Sequence, residues 1–349
     1  MTYSLFPKEG KFYKANLHAH TDISDGHWTK EELKAGFMEH GYQIVAYTDH
    51  EYMEDHSELN EKEKFLAITA YEMGISAPND GVHSWVYDKV YHFNLLAKDP
   101  KQNKHIYFDP SALWCIDPEK VKNAQYVGSI HPRQYHIREI NNIIRCANEN
   151  GFLVIYNHPV WSMQDYTDYA GLEGLWGVEI INGATCTEGY EESQPHVFEE
   201  MLRMGKKVFP VAADDCHGPE GAYIGFTMVK APELTYDAVM NAFEKGNFYA
   251  SDGPTIESAE IKDGILHIQT SPVVQIMVPT DSRIAMVKNA PDADHPVTEA
   301  DFDLHAWKDT ESPYGDETKY IRISLVSANG RHAYSRAYFQ NEILPGFDR

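Results

Sequence analysis

From residue 14 to about 250 the chain repeats one pattern: a short apolar run, often ending in histidine or a carboxylate, then a segment of helical periodicity. "IVAYTDH" follows "TKEELKAGFMEHG", "FLVIYNHP" follows "IREINNIIRCANENG", and "KVFPVAADDCHG" follows "VFEEMLRMG". The repetition predicts βα units and therefore parallel strands, and enough of them can close a barrel. The first helix opens on Thr29 with Glu32 three residues on, the signature of a capping box, and stops at Gly41, where a left-handed cap is easy.

After "NFYASDGP" the texture changes. "IESAEIKDGILHIQT" reads as two strands joined by Asp263-Gly264, "PVVQIMV" and "DFDLHAW" as further strands, and "YIRISLVSANGRHAYSRAYF" as a hairpin turning at Asn329-Gly330. No helix is predicted there, and "KNAPDADHPVTEAD" at 288–301 reads as an exposed loop. The expectation is an α/β barrel domain over residues 1–255, followed by a smaller all-β, sandwich-like domain over residues 256–349.

Chemistry-bearing residues stand where the apolar runs end: His18 and His20, Asp49 and His50, Glu72, His158, Asp215 and His217, with His92 inside an alternating strand. In a parallel barrel the C-terminal strand ends share one mouth, so these residues would converge. Residues two apart on a strand face the same side, which pairs His18 with His20 and Asp215 with His217. Imidazole nitrogens and carboxylate oxygens suit zinc, manganese or iron, and a carboxylate can bridge two ions where a neutral imidazole cannot, which makes Glu72 the candidate bridge.

Competing residues are sorted by their surroundings. His158 is preferred to His131 because it follows a clean apolar strand, and His92 to His83 because His83 falls in a loop. Asp25, in "SDG", is either a ligand or the start of a turn. Asp49 is expected to face away or to orient an imidazole from outside the ligand set. His27, His40, His56, His105, His136, His196, His267, His295, His305 and His332 are read as solvated. Among the arginines of "HPRQYHIREINNIIR", Arg133 is best placed to give a substrate phosphate a bidentate partner.

Composition narrows the partners. With 53 acidic and 30 basic residues the formal charge is −23, which argues against nucleic acid or anionic lipid. No apolar stretch suits a secretion signal or a membrane span, so a cytoplasmic protein is expected. Four cysteines at wide spacing fit neither a zinc ribbon nor a disulfide scaffold and read as reduced thiols. The G-x-S-x-G, G-x-x-x-x-G-K-[ST] and G-x-G-x-x-G motifs are absent.

Taken in order, "HAHTDISDG", "TDH", a strand ending in "YE", "YHFNLLA", "NHP" and "DDCH" resemble the PHP (polymerase and histidinol phosphatase) superfamily of metal-dependent hydrolases over residues 14 to 255, in its standalone form with a C-terminal β-rich extension. The resemblance implies a distorted (β/α)7 barrel with two or three divalent ions (Zn, Mn or Fe) at its mouth. It assigns His18, His20, Glu72 and Asp215 to a first ion, Glu72, His92 and His158 to a second, and Asp25, His50 and His217 to a third. Aspartate at position 25, where some relatives have histidine, makes the third ion the least secure. The implied activity is phosphoester hydrolysis of a small, phosphorylated molecule by metal-activated water, with Glu72, Asp215 and His217 as catalytic groups and Arg133 on the substrate. Two alternatives stand beside it: a carboxyl ester, carbamate or amide hydrolase, and a non-catalytic metal-binding scaffold whose β domain binds a ligand.

Overall fold

The computed structural model describes residues 2–79, 81, 85–122, 124–193 and 195–347. After β1 (Thr2–Ser4) come β2 (Lys11–Asn16), β3 (Ile44–Tyr47), β4 (Leu66–Ser76) and β5 (Val90–Ala97). A short parallel pair, β6 (Lys104–Ile106) and β7 (Gln125–Val127), precedes β8 (Phe152–Tyr156), β9 (Gly177–Asn182), β10 (Phe209–Ala213), β11 (Phe226–Ala231) and β12 (Phe248–Ser251). The helices Lys30–Glu39, Ile137–Glu149 and His196–Arg203 lie between strands, as the periodicity predicts, and so does a further helix, Tyr236–Lys245. Thr29 and Glu32 make the expected capping box: Thr29 Oγ1 accepts from the Glu32 amide at 3.2 Å and Glu32 Oε2 accepts from the Thr29 amide at 2.9 Å.

Strands β10, β9, β8, β5, β4, β3, β2, β11 and β12 are neighbours in that order within one sheet. Their side chains split by parity between one shared cluster and two others on the opposite face. In β3, Ile44 and Ala46 join the cluster of Leu17, Ile68 and Val211, while Val45 and Tyr47 pack with Leu33 and Phe37 of the first helix. In β8, Leu153 and Ile155 face the first of these clusters and Phe152, Val154 and Tyr156 face the helix Ile137–Glu149.

The expectation of parallel strands throughout needs correction. β2, β3 and β4 run parallel, as do β8, β9 and β10, but β5 is antiparallel to both its neighbours and β11 is antiparallel to β2 and β12. The reason is the connection: between β4 and β5 only the single turn Trp85–Tyr87 occurs among the described residues, and without a crossover helix the chain returns antiparallel. His92, near the start of β5, is thereby brought opposite Gly74, two residues past Glu72. The outermost strand β10 meets β2 beyond both strand ends, where Ala19 and Cys216 form a parallel bridge and the Asp215 amide donates to the His18 carbonyl at 2.8 Å.

Past residue 255, β13 (Ile256–Lys262), β14 (Ile265–Val273) and β17 (Val297–Asp303) form an antiparallel sheet in the order β1, β13, β14, β17. β15 (Gln275–Val278) and β16 (Met286–Asn289) join β19 (Ser324–Val326) and β20 (His332–Ser335) in the large sheet, where β20 pairs with β12; β18 (Tyr320–Ile321) pairs separately with β21 (Tyr338–Phe339). Ile261, Leu266, Ile268, Ile276, Val278 and Leu325 fill the layer between the two sheets. The turns fall where expected, with Asp263 at φ 50°, Gly264 at 76° and Gly330 at 78°. Three details differ: His305–Lys308 and Gln340–Ile343 are single helical turns, the strand read through "DFDLHAW" stops at Asp303, and the loop expected over 288–301 is narrowed by strands reaching Asn289 and starting at Val297. Among the described residues no helix is long and apolar enough to cross a membrane.

Candidate metal centre

Glu72 is the hub. It lies on β4 two residues past Ala70, on the face that lower in the strand packs the core, and is 1% exposed. Its two oxygens face different histidines. Oε1 stands 3.2 Å from His18 Nε2, 3.1 Å from His92 Nδ1 and 3.4 Å from His158 Nε2; Oε2 stands 3.5 Å from His20 Nε2 and 3.1 Å from His50 Nδ1.

Asp215 supplies a second carboxylate, with Oδ1 3.1 Å from His18 Nε2 and 3.0 Å from His20 Nε2, and Oδ2 3.6 Å from His158 Nε2. It holds this position with φ at 54°, a left-handed backbone unusual for a residue with a Cβ, and its amide is tied to His18. Asp25 faces His217 Nε2 at 3.3 Å, His50 Nε2 at 3.7 Å and His20 Nδ1 at 3.8 Å. The turn reading of "SDG" holds as well: at Gly26 a Cβ would stand 2.4 Å from the His20 carbonyl oxygen, so glycine lets this turn press onto the segment that carries His18 and His20.

Thus all nine side chains singled out in the sequence converge. They fall into overlapping groups whose ligand atoms lie within 4.8 Å of one another: His18, His20, Glu72 and Asp215; Glu72, His92 and His158; and His20, Asp25, His50 and His217. Two donor atoms on one zinc, each about 2.1 Å from it in a tetrahedron, are about 3.4 Å apart, which is the spacing seen here. His18 Nε2 and His20 Nδ1 are buried with no hydrogen-bond partner among the described residues, although carboxylate oxygens stand close by. Lone pairs that converge without hydrogen bonds suit a cation, so the residues fit divalent ions.

Charge is shared tightly. Burial pushes the Glu72 carboxyl up, but His92, His18 and His50 more than offset this and hold it well below the usual range. Burial pulls His158 down, yet Glu72 and Asp215 push it up to about 9. His20 is driven down to about 3 by burial and by neighbouring His217 and His50.

A surrounding layer fixes these groups, and most of it was missed in the sequence. Glu179, in the middle of β9, faces His18 Nδ1 at 3.2 Å and accepts from the His158 amide at 3.0 Å. Asn182 Nδ2 lies 3.0 Å from Glu179 and 3.2 Å from Asp215, and Asn157 Nδ2 donates to Glu72 at 2.8 Å. The one available signal was a lone carboxylate in the apolar "WGVEIIN". Asp49 makes no hydrogen bond to an imidazole among the described residues; it accepts from the Thr21 amide and hydroxyl and from Ser24, and so pins the loop between His20 and Asp25. His131 stands apart, 3.1 Å from Glu139, while His83 lies outside the described residues. His56 and His105, read as solvated, are buried, and His105 Nε2 accepts from the Met53 amide at 2.9 Å. The four cysteines are free.

A cavity of about 900 Å³ opens over the cluster, and Asp25, His50, Glu72, His92, His158, Asp215 and His217 line it. Arg133 lines it too. Its side chain is 1% exposed, Nη2 donates to Glu51 at 2.6 Å, Nε lies 3.8 Å from Asp109, and neither Nε nor Nη1 has a hydrogen-bond partner among the described residues.

No family model and no curated protein matches the chain. Among solved structures, a two-domain protein from Bacteroides vulgatus containing a predicted PHP-like metal-dependent phosphoesterase is 13% identical and aligns over 96% of this chain and 98% of its own, with a TM-score of 0.40. A candidate metal-dependent phosphoesterase from Bifidobacterium adolescentis is 15% identical over 62% of this chain and 90% of its own, with a TM-score of 0.33. An amidohydrolase from Chromobacterium violaceum, with bound sulfate and no metal, is 13% identical over 59% and 88%, also at 0.33. In its ordered motifs, and in the buried histidine and carboxylate cluster those motifs assemble, the chain resembles the PHP superfamily of metal-dependent hydrolases.

Proposed function

We propose that the chain is a metal-dependent hydrolase acting on a phosphoester of a small molecule. We read β2, β3, β4, β5, β8, β9 and β10, whose outer members meet through Ala19 and Cys216, as the distorted barrel that carries the site, with residues 256–349 as a second, β-rich unit. The observation that carries the proposal is the place of Glu72 in two groups of closely spaced ligand atoms, one with His18, His20 and Asp215 and the other with His92 and His158. A carboxylate so placed would be shared by two ions, with His18, His20 and Asp215 completing one set and His92 and His158 the other. Asp25, His50 and His217 would hold a third ion. Bound there, zinc, manganese or iron lowers the pKa of a water and polarises the bond to be cut.

The protein's own part is to hold and to orient. Glu179 fixes His18 and the His158 backbone, and Asn157 fixes Glu72. Nη1 of Arg133, which has no hydrogen-bond partner among the described residues, would donate to a phosphoryl oxygen, and a cavity of about 900 Å³ suits a small molecule. The test is turnover of phosphomonoesters, phosphodiesters and carboxyl esters by the metal-loaded protein. Phosphoester cleavage should be lost on chelation and inhibited by inorganic phosphate. Arg133→Ala should raise KM, with a loss of about 1.5–3 kcal/mol in kcat/KM at unchanged metal content. Inert phosphoesters, with carboxyl esters turned over under the same metal requirement, would overturn the proposal.

One observation favours that second reading, a carboxyl ester, carbamate or amide hydrolase. Arg133 is the one Lys or Arg lining the cavity among the described residues, and it is already held by Glu51 and Asp109. A neutral carbonyl substrate would not need its charge.

A further inference from the structure

We infer that the cavity takes a substrate that carries an uncharged, planar aromatic ring, held against the exposed indole of Trp114 beside the metal-binding imidazoles. The inference rests on the metal-hydrolase reading but not on which bond is cut. Trp114, His50, His92 and Trp161 form a chain of neighbouring rings, with successive centroids 5.6, 5.7 and 5.8 Å apart. The two indoles are therefore its end members, and the two imidazoles that bear on Glu72 connect them.

The two indoles are prepared differently. Trp161 is fixed: its indole N–H donates to Glu188 at 3.0 Å, its backbone amide donates to the buried Glu192 at 2.9 Å, and its ring meets His158 edge to face at 5.1 Å. Trp114 is 69% exposed although it lines the cavity. An indole left in water forgoes one of the largest apolar burials available to a side chain, and a ring lying against it would recover that burial. Apolar neighbours continue the wall, since Val86, Met163 and Tyr190 also line the cavity and are 49%, 46% and 42% exposed. Methionine sulfur and aromatic side chains both favour a flat π-system over an alkyl chain.

Charge excludes the other common kind of ring-bearing group. Asp88, Asp109 and Glu188 line the cavity with Arg133 alone against them among the described residues. A ring bearing further phosphates or carboxylates would meet like charge away from the metals and find no second cation.

Hydroxamates test this, because they chelate divalent ions whatever ester the protein cleaves. Binding of benzohydroxamate and acetohydroxamate to the metal-loaded protein is measured by titration calorimetry, for the parent chain and for Trp114→Ala and Trp161→Ala. Benzohydroxamate should bind about tenfold tighter than acetohydroxamate, as expected for ring stacking. Trp114→Ala should reduce that preference and Trp161→Ala should change it less, both leaving acetohydroxamate affinity and metal content unchanged, and 4-carboxybenzohydroxamate should bind more weakly than benzohydroxamate. Equal affinities for the phenyl and methyl probes, a preference that survives Trp114→Ala, or tighter binding of the carboxylated probe would overturn the inference and leave the metal reading standing. A chain that neither retains metal on purification nor binds either probe would overturn the metal reading, and this inference with it.

Discussion

Glu72 and Glu179 are both buried carboxylates beside His18, yet different outcomes are expected from removing their charge. Glu72 presents both oxygens to imidazoles, so under the proposed function Glu72→Gln would take a shared ligand from two ions at once. Metal analysis of undepleted protein should fall from at least two ions per chain, and hydrolysis should fall with it. An anomalous-scattering map with no ion near Glu72 in the parent protein would remove the basis of the assignment. Glu179 instead sets the direction of the His18 ring and the path of the His158 backbone. Glu179→Gln should therefore keep the ions but bind them about 10–100-fold more weakly, read by competition with a chelator. The converging side chains, Asp25 excepted, were legible in the sequence because each ends an apolar run or, for His92, alternates within one. Glu179 was not, because a single charged letter inside "WGVEIIN" has the same appearance whether it is paired across the fold or sits on an exposed edge.

At the scale of elements, the segment from His158 to Gln164 shows how the structure around the site is tied down. Glu192 accepts from the Val160 amide at 3.3 Å and the Trp161 amide at 2.9 Å, and burial pushes its carboxyl from the ordinary 4.5 up to about 7. Because the folded-state value is raised, the folded chain binds the extra proton. This term leaves stability unaffected below about pH 4.5, erodes it progressively as pH rises towards 7, and is fully unfavourable above that. Thermal melts of the parent and Glu192→Gln should therefore differ by an amount that shifts in favour of the variant between pH 5 and pH 8; a pH-independent difference would refute the assignment. The first helix offers a simpler check. Thr29→Ala removes the hydroxyl that accepts from the Glu32 amide and should cost about 1 kcal/mol in denaturant unfolding. That cap was legible because capping is local. The reversal of β5 was not: direction depends on the linker, and the apolar alternation of "KVYHFNLLA" is the same read either way.

For the whole molecule, the change of texture near residue 255 marks where the longer helices end, but hydrogen bonding does not stop there. β12 pairs with β20, β1 from the N-terminus pairs with β13, and Arg322 donates to Glu199 on the helix His196–Arg203. Sequence reading misses such seams because the partners lie some 80 or more residues apart and no local pattern records them. A chain ending at residue 255 would expose the free edge of β12 and the faces of Phe6 and Tyr249 that now pack in one cluster with Ile261, Leu266 and Tyr338. It should aggregate or melt without a cooperative transition, and a soluble truncated chain with a sharp melt would contradict this. The acidic rim of the cavity has a kinetic consequence as well. An anionic substrate diffusing towards Asp88, Asp109 and Glu188 on a chain of net charge −23 is repelled before it meets any ion. Screening by added salt shortens the reach of that repulsion to about 10 Å at 0.1 M, so the encounter rate of a phosphoester should rise with ionic strength while that of a neutral ester stays flat.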